Sequence, residues 1–144
     1  MVHGSGGIAK AVVAALRELQ VPNVVVAGRN LDSTTKLAHA YGYRAETDPG
    51  PATCLINCTP IGMTGVGAED ELSFSEGLIS SADLVFDVVA MPSTTPLVLA
   101  AESLGVEAIR GSELMTAQAV AQFVLYTGVE PDSSQVAAAA DWAR

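Results

Sequence analysis

Apolar residues in this chain come as short runs and as helical stripes, and the two alternate. Val24-Val25-Val26-Ala27, Cys54-Leu55-Ile56-Asn57 and Leu84-Val85-Phe86-Asp87-Val88-Val89 are nearly continuous apolar runs, the pattern of strands covered on both faces. Tyr43-Arg44-Ala45 and Val106-Glu107-Ala108-Ile109 predict two more strands, and Met1-Val2-His3 the end of another. Ile8, Ala11, Val12, Ala15, Leu16 and Leu19 recur at helical spacing, with Lys10, Arg17 and Glu18 off the stripe and Pro22 as the boundary. A second helix is predicted from Asp32, as its cap, to about Tyr41, with Gly42 as the stop. Thr95 caps a further helix with Pro96 at its first position, Leu97, Ala100, Ala101 and Leu104 on one face, and Gly105 at its end. The stretch Ser112 to Tyr126 is apolar almost all round, which predicts a helix enclosed on several sides. Asp132-Ser133-Ser134-Gln135 resembles a capping box for a last helix carrying Val136, Ala139, Ala140 and Trp142. Asp48 to Pro51 reads as a turn, and Gly65 to Ser75, with Glu69, Asp70 and Glu71, as a solvated acidic loop.

Strands alternating with helices predict an α/β fold: a Rossmann-like, doubly wound parallel sheet of about six strands with helices on both faces. The expected strand order is 3-2-1-4-5-6, with a ligand crevice where the order reverses between strands one and four. A chain of 144 residues suffices for one such domain. Only Met1, Val2 and His3 precede the first glycine, so the chain is expected to begin inside its first strand, as a fragment of a longer protein would.

The net charge of −9 disfavours nucleic acid and anionic membranes as partners. No apolar run approaches the ~20 residues of a membrane helix, and no basic-then-apolar leader is present, so a cytoplasmic location is expected. Cys54 reads as buried filler and Cys58 as a turn residue, both reduced. Neither has the neighbours of a zinc site. No metal cluster and no Ser/His/Asp or Cys/His nucleophile set is visible.

The candidate chemistry lies at the front. Gly4, Gly6 and Ala9 fit G-x-G-x-x-G/A between a strand end and a helix start. Gly4 suits a tight turn, Gly6 lets backbone approach a pyrophosphate, and Ala9 permits close packing of helix on strand. The helix that opens there would point its unpaired N–H groups and positive dipole end at the phosphates. The second strand ends in Gly28-Arg29-Asn30, where an NAD-linked protein usually places an acid; an Arg there suits a 2′-phosphate, which favours NADP over NAD. His3 reads as a packed strand-end side chain, with proton transfer as the alternative. Asp87 reads as an anchor for the loop after strand five. Gln118, on an otherwise apolar helix, points to a ligand or a buried partner, and Met115 to core.

Several stretches together resemble the shikimate dehydrogenase family. They are Gly4-Ser5-Gly6-Gly7, Gly28-Arg29-Asn30, Ile56 through Asn57-Cys58-Thr59-Pro60-Ile61-Gly62 to Met63, Phe86-Asp87-Val88-Val89, Thr95-Pro96-Leu97, and Gly111 through Ala117-Gln118-Ala119 to Phe123. Their order and spacing are similar to the family's C-terminal cofactor domain over the whole chain, and the wording Val-His-Gly-Ser-Gly-Gly and Val-Phe-Asp-Val-Val-Ala-Met-Pro resembles the shikimate dehydrogenase-like branch. The resemblance implies a domain spanning 1–144 that binds NADP, from a protein that interconverts 3-dehydroshikimate and shikimate or a related cyclic hydroxy acid.

By the same resemblance, Gly4, Ser5, Gly6, Gly7 and Ile8 hold the pyrophosphate, and Arg29 and Asn30 grip the 2′-phosphate. Thr59, Pro60 and Ile61 line the cofactor, Val88 and Gly111 meet the nicotinamide amide, Met115 lies near the ring, and Gln118 bonds substrate hydroxyl groups. The family's catalytic Lys and Asp belong to an N-terminal substrate domain that these residues do not include, so no catalytic residue is assigned. Ala90 stands where the family has a substrate-touching tyrosine, and Ser33 where it has a second arginine, with Lys36 as a candidate replacement. The resemblance implies nucleotide binding without turnover by this chain alone, and possible self-association through the surface left by the missing domain. The alternative is a stand-alone NADP(H)-binding or sensing module.

Overall fold

A computed structural model describes residues 1–142. Six parallel strands, β1 (Val2–His3), β2 (Val25–Ala27), β3 (Arg44–Glu46), β4 (Cys54–Asn57), β5 (Leu84–Asp87) and β6 (Glu107–Ile109), pair in the order β3-β2-β1-β4-β5-β6. This is the expected doubly wound sheet, with the reversal between β1 and β4. The helices are α1 (Gly7–Glu18), α2 (Leu31–Ala40), α3 (Glu76–Ser80), α4 (Pro96–Ser103), α5 (Gly111–Thr127) and α6 (Ser133–Trp142). Among the described residues no helix is long and apolar enough to cross a membrane.

The strand alternation builds two cores. Ile56 and its register partner Phe86 face one way, and Leu55 and its partner Val85 the other. Val2, Val26 and Ile56 pack with Ala9 and Val13 of α1 and Leu37 and Ala38 of α2. Leu55 and Val85 pack with Ile79 of α3 and Leu97 and Ala101 of α4. Each face of the sheet is therefore covered by its own pair of helices, which the right-handed β-α-β connection requires of a strand order that reverses.

Several expectations are corrected. The buried stripe of α1 is Ala9 and Val13, flanked by Val12 and Leu16, whereas Ile8 and Leu19 are exposed. The glycine turn sets the phase of the helix, and it puts the small Ala9 against the sheet. The cap of α2 is Asn30, whose side-chain oxygen accepts from Ser33 N at 3.0 Å; Asp32 lies inside the first turn. In α4, Val98 is buried where Leu104 was expected. The segment 65–75 is solvated only in part, because Ser73 and Phe74 are buried and lead into α3, which the apolar pattern did not reveal. Cys54 is half-buried.

The largest correction concerns α5. Its only buried residue is Gly111, and Met115, Phe123, Leu125 and Tyr126 are exposed. Met115 is not core, and Gln118 is exposed with no buried partner. Leu114 alone among its large apolar residues reaches the cluster over α1 and α2. The apolar character of α5 announces a buried helix, but the described residues do not bury it. The last helix starts as expected, with Asp132 Oδ1 accepting from Ser134 N at 2.8 Å and Gln135 N at 2.9 Å while Gln135 Oε1 accepts from Asp132 N at 3.0 Å.

Candidate cofactor cleft

Because every strand is parallel, the residues after β1, β2, β4, β5 and β6 all emerge at one edge of the sheet. The turn after β1 leads it. Gly4 N donates to Ala27 O at 2.8 Å, which holds the turn against the end of β2. Gly4 has φ +120°, and a Cβ there would stand 2.8 Å from the Cys58 carbonyl oxygen. Only glycine satisfies both the backbone angle and this approach of the turn to the loop after β4. Gly6 caps α1 without a side chain, and Lys10 N is the first amide to bond back to it. The amides of Gly7, Ile8 and Ala9 therefore lack intrahelical acceptors, as at any helix start. A Cβ built on Gly6 or Gly7 meets nothing within 4 Å, and Ile8 is exposed, so this end of α1 opens outward.

Beyond β2, Arg29 is exposed and, among the described residues, forms no ion pair. Asn30 spends its side-chain oxygen on the α2 cap and its carbonyl on Thr34 Oγ1, 2.8 Å away, and Ser33 Oγ, 3.1 Å away. Its amide nitrogen stays available to a ligand. Ser5 Oγ and Ser33 Oγ are 2.8 Å apart and tie the glycine turn to the first turn of α2. Lys36 is exposed on the same helix.

The loops after β4 and β5 are locked by a buried polar network. Asn57, fully buried, accepts at Oδ1 from Thr59 N at 3.0 Å and Thr59 Oγ1 at 2.6 Å, and donates from Nδ2 to Asp87 Oδ1 at 2.9 Å and to Ile61 O at 3.3 Å. Asp87 also accepts from Val89 N at 3.1 Å and, at Oδ2, from Thr95 Oγ1 at 2.6 Å. Asp87 thus anchors the loop after β5 as expected. Burial pushes its carboxyl above the ordinary range, and the three donors pull the other way. Thr59 Oγ1 further accepts from Ile61 N at 3.2 Å. Its hydroxyl is committed inside the loop, so Thr59, Pro60 and Ile61 can offer a ligand shape and apolar contact. Asn57 is the hub of this network, a role its sequence position does not announce. The available signal was a carboxamide closing an apolar strand, which must find partners if buried.

Val88 and Gly111 are brought together through backbone. A Cβ on Gly111 would fall 2.3 Å from Val89 O and 2.7 Å from the Val88 carbonyl carbon, so the start of α5 lies directly on this loop. Val88 N is committed to Asn57 O at 3.1 Å. Met115 and Gln118 follow on α5, exposed, one turn and two turns from Gly111. His3, at the end of β1, tilts against Phe74 with ring centroids 5.5 Å apart, and its Nδ1 is buried without a partner. Desolvation lowers its pKa, opposed by a Ser73 backbone contact and aided by the Arg29 charge. It is packed, as expected. Two concavities, one near 670 Å³, open at the opposite edge of the sheet, around Met1, Val21 and Pro22.

No protein-family model matches the chain. Curated relatives do. It is 41% identical to the shikimate dehydrogenase-like protein of Haemophilus influenzae, covering 100% of this chain and 54% of the relative. It is 32% identical to the shikimate dehydrogenase (NADP(+)) of Archaeoglobus fulgidus, covering 92% of this chain and 52% of that one. Among solved structures it superposes with a TM-score of 0.96, at 41% identity, on a shikimate 5-dehydrogenase-like protein, covering 99% of this chain and 54% of that one. It superposes with a TM-score of 0.81, at 29% identity, on the Thermus thermophilus shikimate 5-dehydrogenase in complex with NADP(H) and shikimate, covering 99% of this chain and 54% of that one. The chain thus spans about half the length of the curated relatives it matches.

Proposed function

We propose that this chain, which belongs to the shikimate dehydrogenase family, forms the NADP-binding domain of an oxidoreductase acting on shikimate or a related cyclic hydroxy acid. The observation that supports this reading is the bare start of α1: the backbone at Gly6 and Gly7 faces open space at the switch point of the sheet, with an exposed Arg29 beyond the neighbouring strand. In a chain of net charge −9, such amides and one arginine are what a diphosphate can use.

The residues divide the work. Gly4, Ser5, Gly6, Gly7 and Ile8 hold the pyrophosphate through backbone. Arg29 and the free amide of Asn30 face the 2′-phosphate. Thr59, Pro60 and Ile61 shape the wall beside the nucleotide. The carbonyl of Val88 and the backbone of Gly111 meet the nicotinamide amide, with Met115 near the ring and Gln118 reaching substrate hydroxyls. When bound, the cofactor supplies or takes a hydride. Both lysines, Lys10 and Lys36, are exposed on helices α1 and α2, and among the described residues no group in the cleft is set to protonate an alkoxide. On this reading the described residues bind nucleotide and do not themselves transfer the proton.

Titration with NADPH, followed by its fluorescence, is expected to saturate; absence of saturation at millimolar nucleotide would end the proposal. Shikimate with NADP should give background turnover. Robust turnover would mean that the proton-transfer groups lie within this chain.

The exposed face of α5 and α6 supports a statement about assembly. Phe123, Tyr126 and Trp142, with Met115, Leu125 and Val129, are all exposed. Exposed apolar surface of this kind favours self-association. In isolation the domain pairs with a second copy through this face. Light scattering at high concentration tests this, and a clean monomer would contradict it.

A further inference from the structure

Met1 donates from its amino group to Cys54 O at 2.7 Å and accepts at its carbonyl from Ile56 N at 2.9 Å, so the line of β1 is paired to β4 as far back as Met1. On the other side Val2 and His3 pair with Val26 and Ala27 of β2. In a parallel ladder, successive residues of a central strand bond to opposite neighbours. Leu84 N donates to Thr53 O at 3.1 Å and Arg44 N to Val24 O at 3.4 Å, so Leu55 serves β5 and Val26 serves β3. The amides of Cys54 and Val25 therefore point inward, toward the line of β1 ahead of Met1. There β2 and β4 stand two strand spacings apart, about 9.6 Å, which is room for one strand. This slot is the concavity near 670 Å³; Leu16, Val21 and Val24 give it an apolar wall, and the half-buried Met1 amino group lies at its inner end.

We propose that this slot docks the C-terminal end of another polypeptide, an extended apolar tail that enters parallel to β2 and β4 and stops with its carboxylate on the Met1 ammonium. Three features select this occupant. Inward amides from two flanking strands call for main-chain carbonyls, which a small apolar molecule lacks. A last residue one step ahead of Met1 stands on the same face as Val2, toward Leu16 and Val21, which calls for an apolar side chain. Met1 blocks the line, so an internal segment cannot run through, whereas a terminal carboxylate meets the ammonium as a charge-assisted pair. Desolvation disfavours the bare Met1 ammonium, and a counter-charge there relieves it. One carboxylate oxygen faces this group and the other the Val25 amide, and the carbonyl before them takes the Cys54 amide. The slot lies at the edge of the sheet opposite the cofactor cleft and does not depend on it.

Fluorescence anisotropy of a labelled pentapeptide, Lys-Lys-Val-Val-Val with a free carboxylate, titrated with the whole chain, tests the proposal. Binding should saturate with a dissociation constant below about 1 mM. The same peptide ending in an amide should bind about tenfold more weakly or worse, the worth of one hydrogen bond between charged groups. A chain extended by three valines ahead of Met1 fills the slot covalently; it should unfold cooperatively at no lower a temperature than the unextended chain, and it should no longer bind the peptide. Lack of saturation at millimolar peptide, equal affinity for acid and amide, undiminished binding by the extended chain, or a lower unfolding temperature in that chain would each overturn the proposal. None of these outcomes bears on NADPH binding, which is read separately.

Discussion

Asn57 and Asp87 are register partners at the ends of β4 and β5, both fully buried, joined by a 2.9 Å hydrogen bond from Nδ2 to Oδ1. Through this bond the loop that follows β4 and the loop that follows β5 are one rigid unit, because Asn57 also holds Thr59 and Ile61 while Asp87 holds Val89 and Thr95. Asp87→Ala leaves three buried donors without an acceptor, each worth ~1–3 kcal/mol when bare. The expected loss of stability is on the order of 3 kcal/mol or more, read by urea denaturation. A loss below about 1 kcal/mol would show that the network does not brace the cleft.

Gly4 and Gly6 stand two residues apart and should respond oppositely to alanine. At Gly4 the added Cβ meets the Cys58 carbonyl at 2.8 Å with φ at +120°, so Gly4→Ala should cost about 1–3 kcal/mol of stability. At Gly6 φ is −78° and the Cβ meets nothing within 4 Å, so Gly6→Ala should fold as the wild type does. The methyl group would nevertheless occupy the space a pyrophosphate needs, and NADPH affinity should fall at least tenfold. Thermal unfolding and NADPH titration of both variants separate the two effects. Undiminished binding in Gly6→Ala would move the phosphate site elsewhere.

The strand order and the four residues of β4 were legible because a short apolar run between turn residues has one reading. Asn30 and Asp32 are both good cap residues, and only the backbone conformation chooses between them, which is why the start of α2 is displaced by two residues. The face of α1 is not legible from apolarity alone, because Ile8 and Leu19 are as apolar as Val13; the burial of Ala9 against the sheet sets which side is inward. The uniform apolarity of α5 reports that the helix is built to be covered. It cannot report whether the cover lies within the same 144 residues, and the described structure leaves Leu125 and Tyr126 in the open. The glycine turn is legible because its requirement, a positive φ at Gly4 beside the Cys58 carbonyl, is local. The role of Asn57 is not legible in the same way, since its partner Asp87 lies thirty residues on.

Cys58 sits in the loop beside Gly4, where burial and then the neighbouring Asp87 charge push its thiol up to about 12. Against the ordinary value of 9.0, a rise to about 12 lowers the thiolate fraction at neutral pH about a thousandfold. Burial raises the Cys54 thiol as well. Alkylation of the native chain at pH 8 should be far slower than in urea at both positions, with peptide mapping to assign them. Rapid labelling of native Cys58 would show that the loop after β4 opens readily and that the Asn57 network is not closed in solution.

His3 carries a pH dependence whose sign follows from its surroundings. Its ring lies against Phe74, Nδ1 is buried without a partner, and desolvation holds its pKa below the ordinary value of 6.5. Between that lowered value and 6.5 the unfolded chain binds more protons than the folded one, so stability rises with pH in this window. The contribution is fully present above 6.5 and is lost as pH falls from there through the folded-state pKa. His3→Leu keeps the packing against Phe74 and removes the titration. The difference between wild-type and His3→Leu unfolding free energies should therefore slope below pH 6.5 and flatten above it, since all other groups cancel in the subtraction. Parallel pH profiles for the two proteins would mean that the histidine is hydrated in solution, and with it the floor beneath the glycine turn.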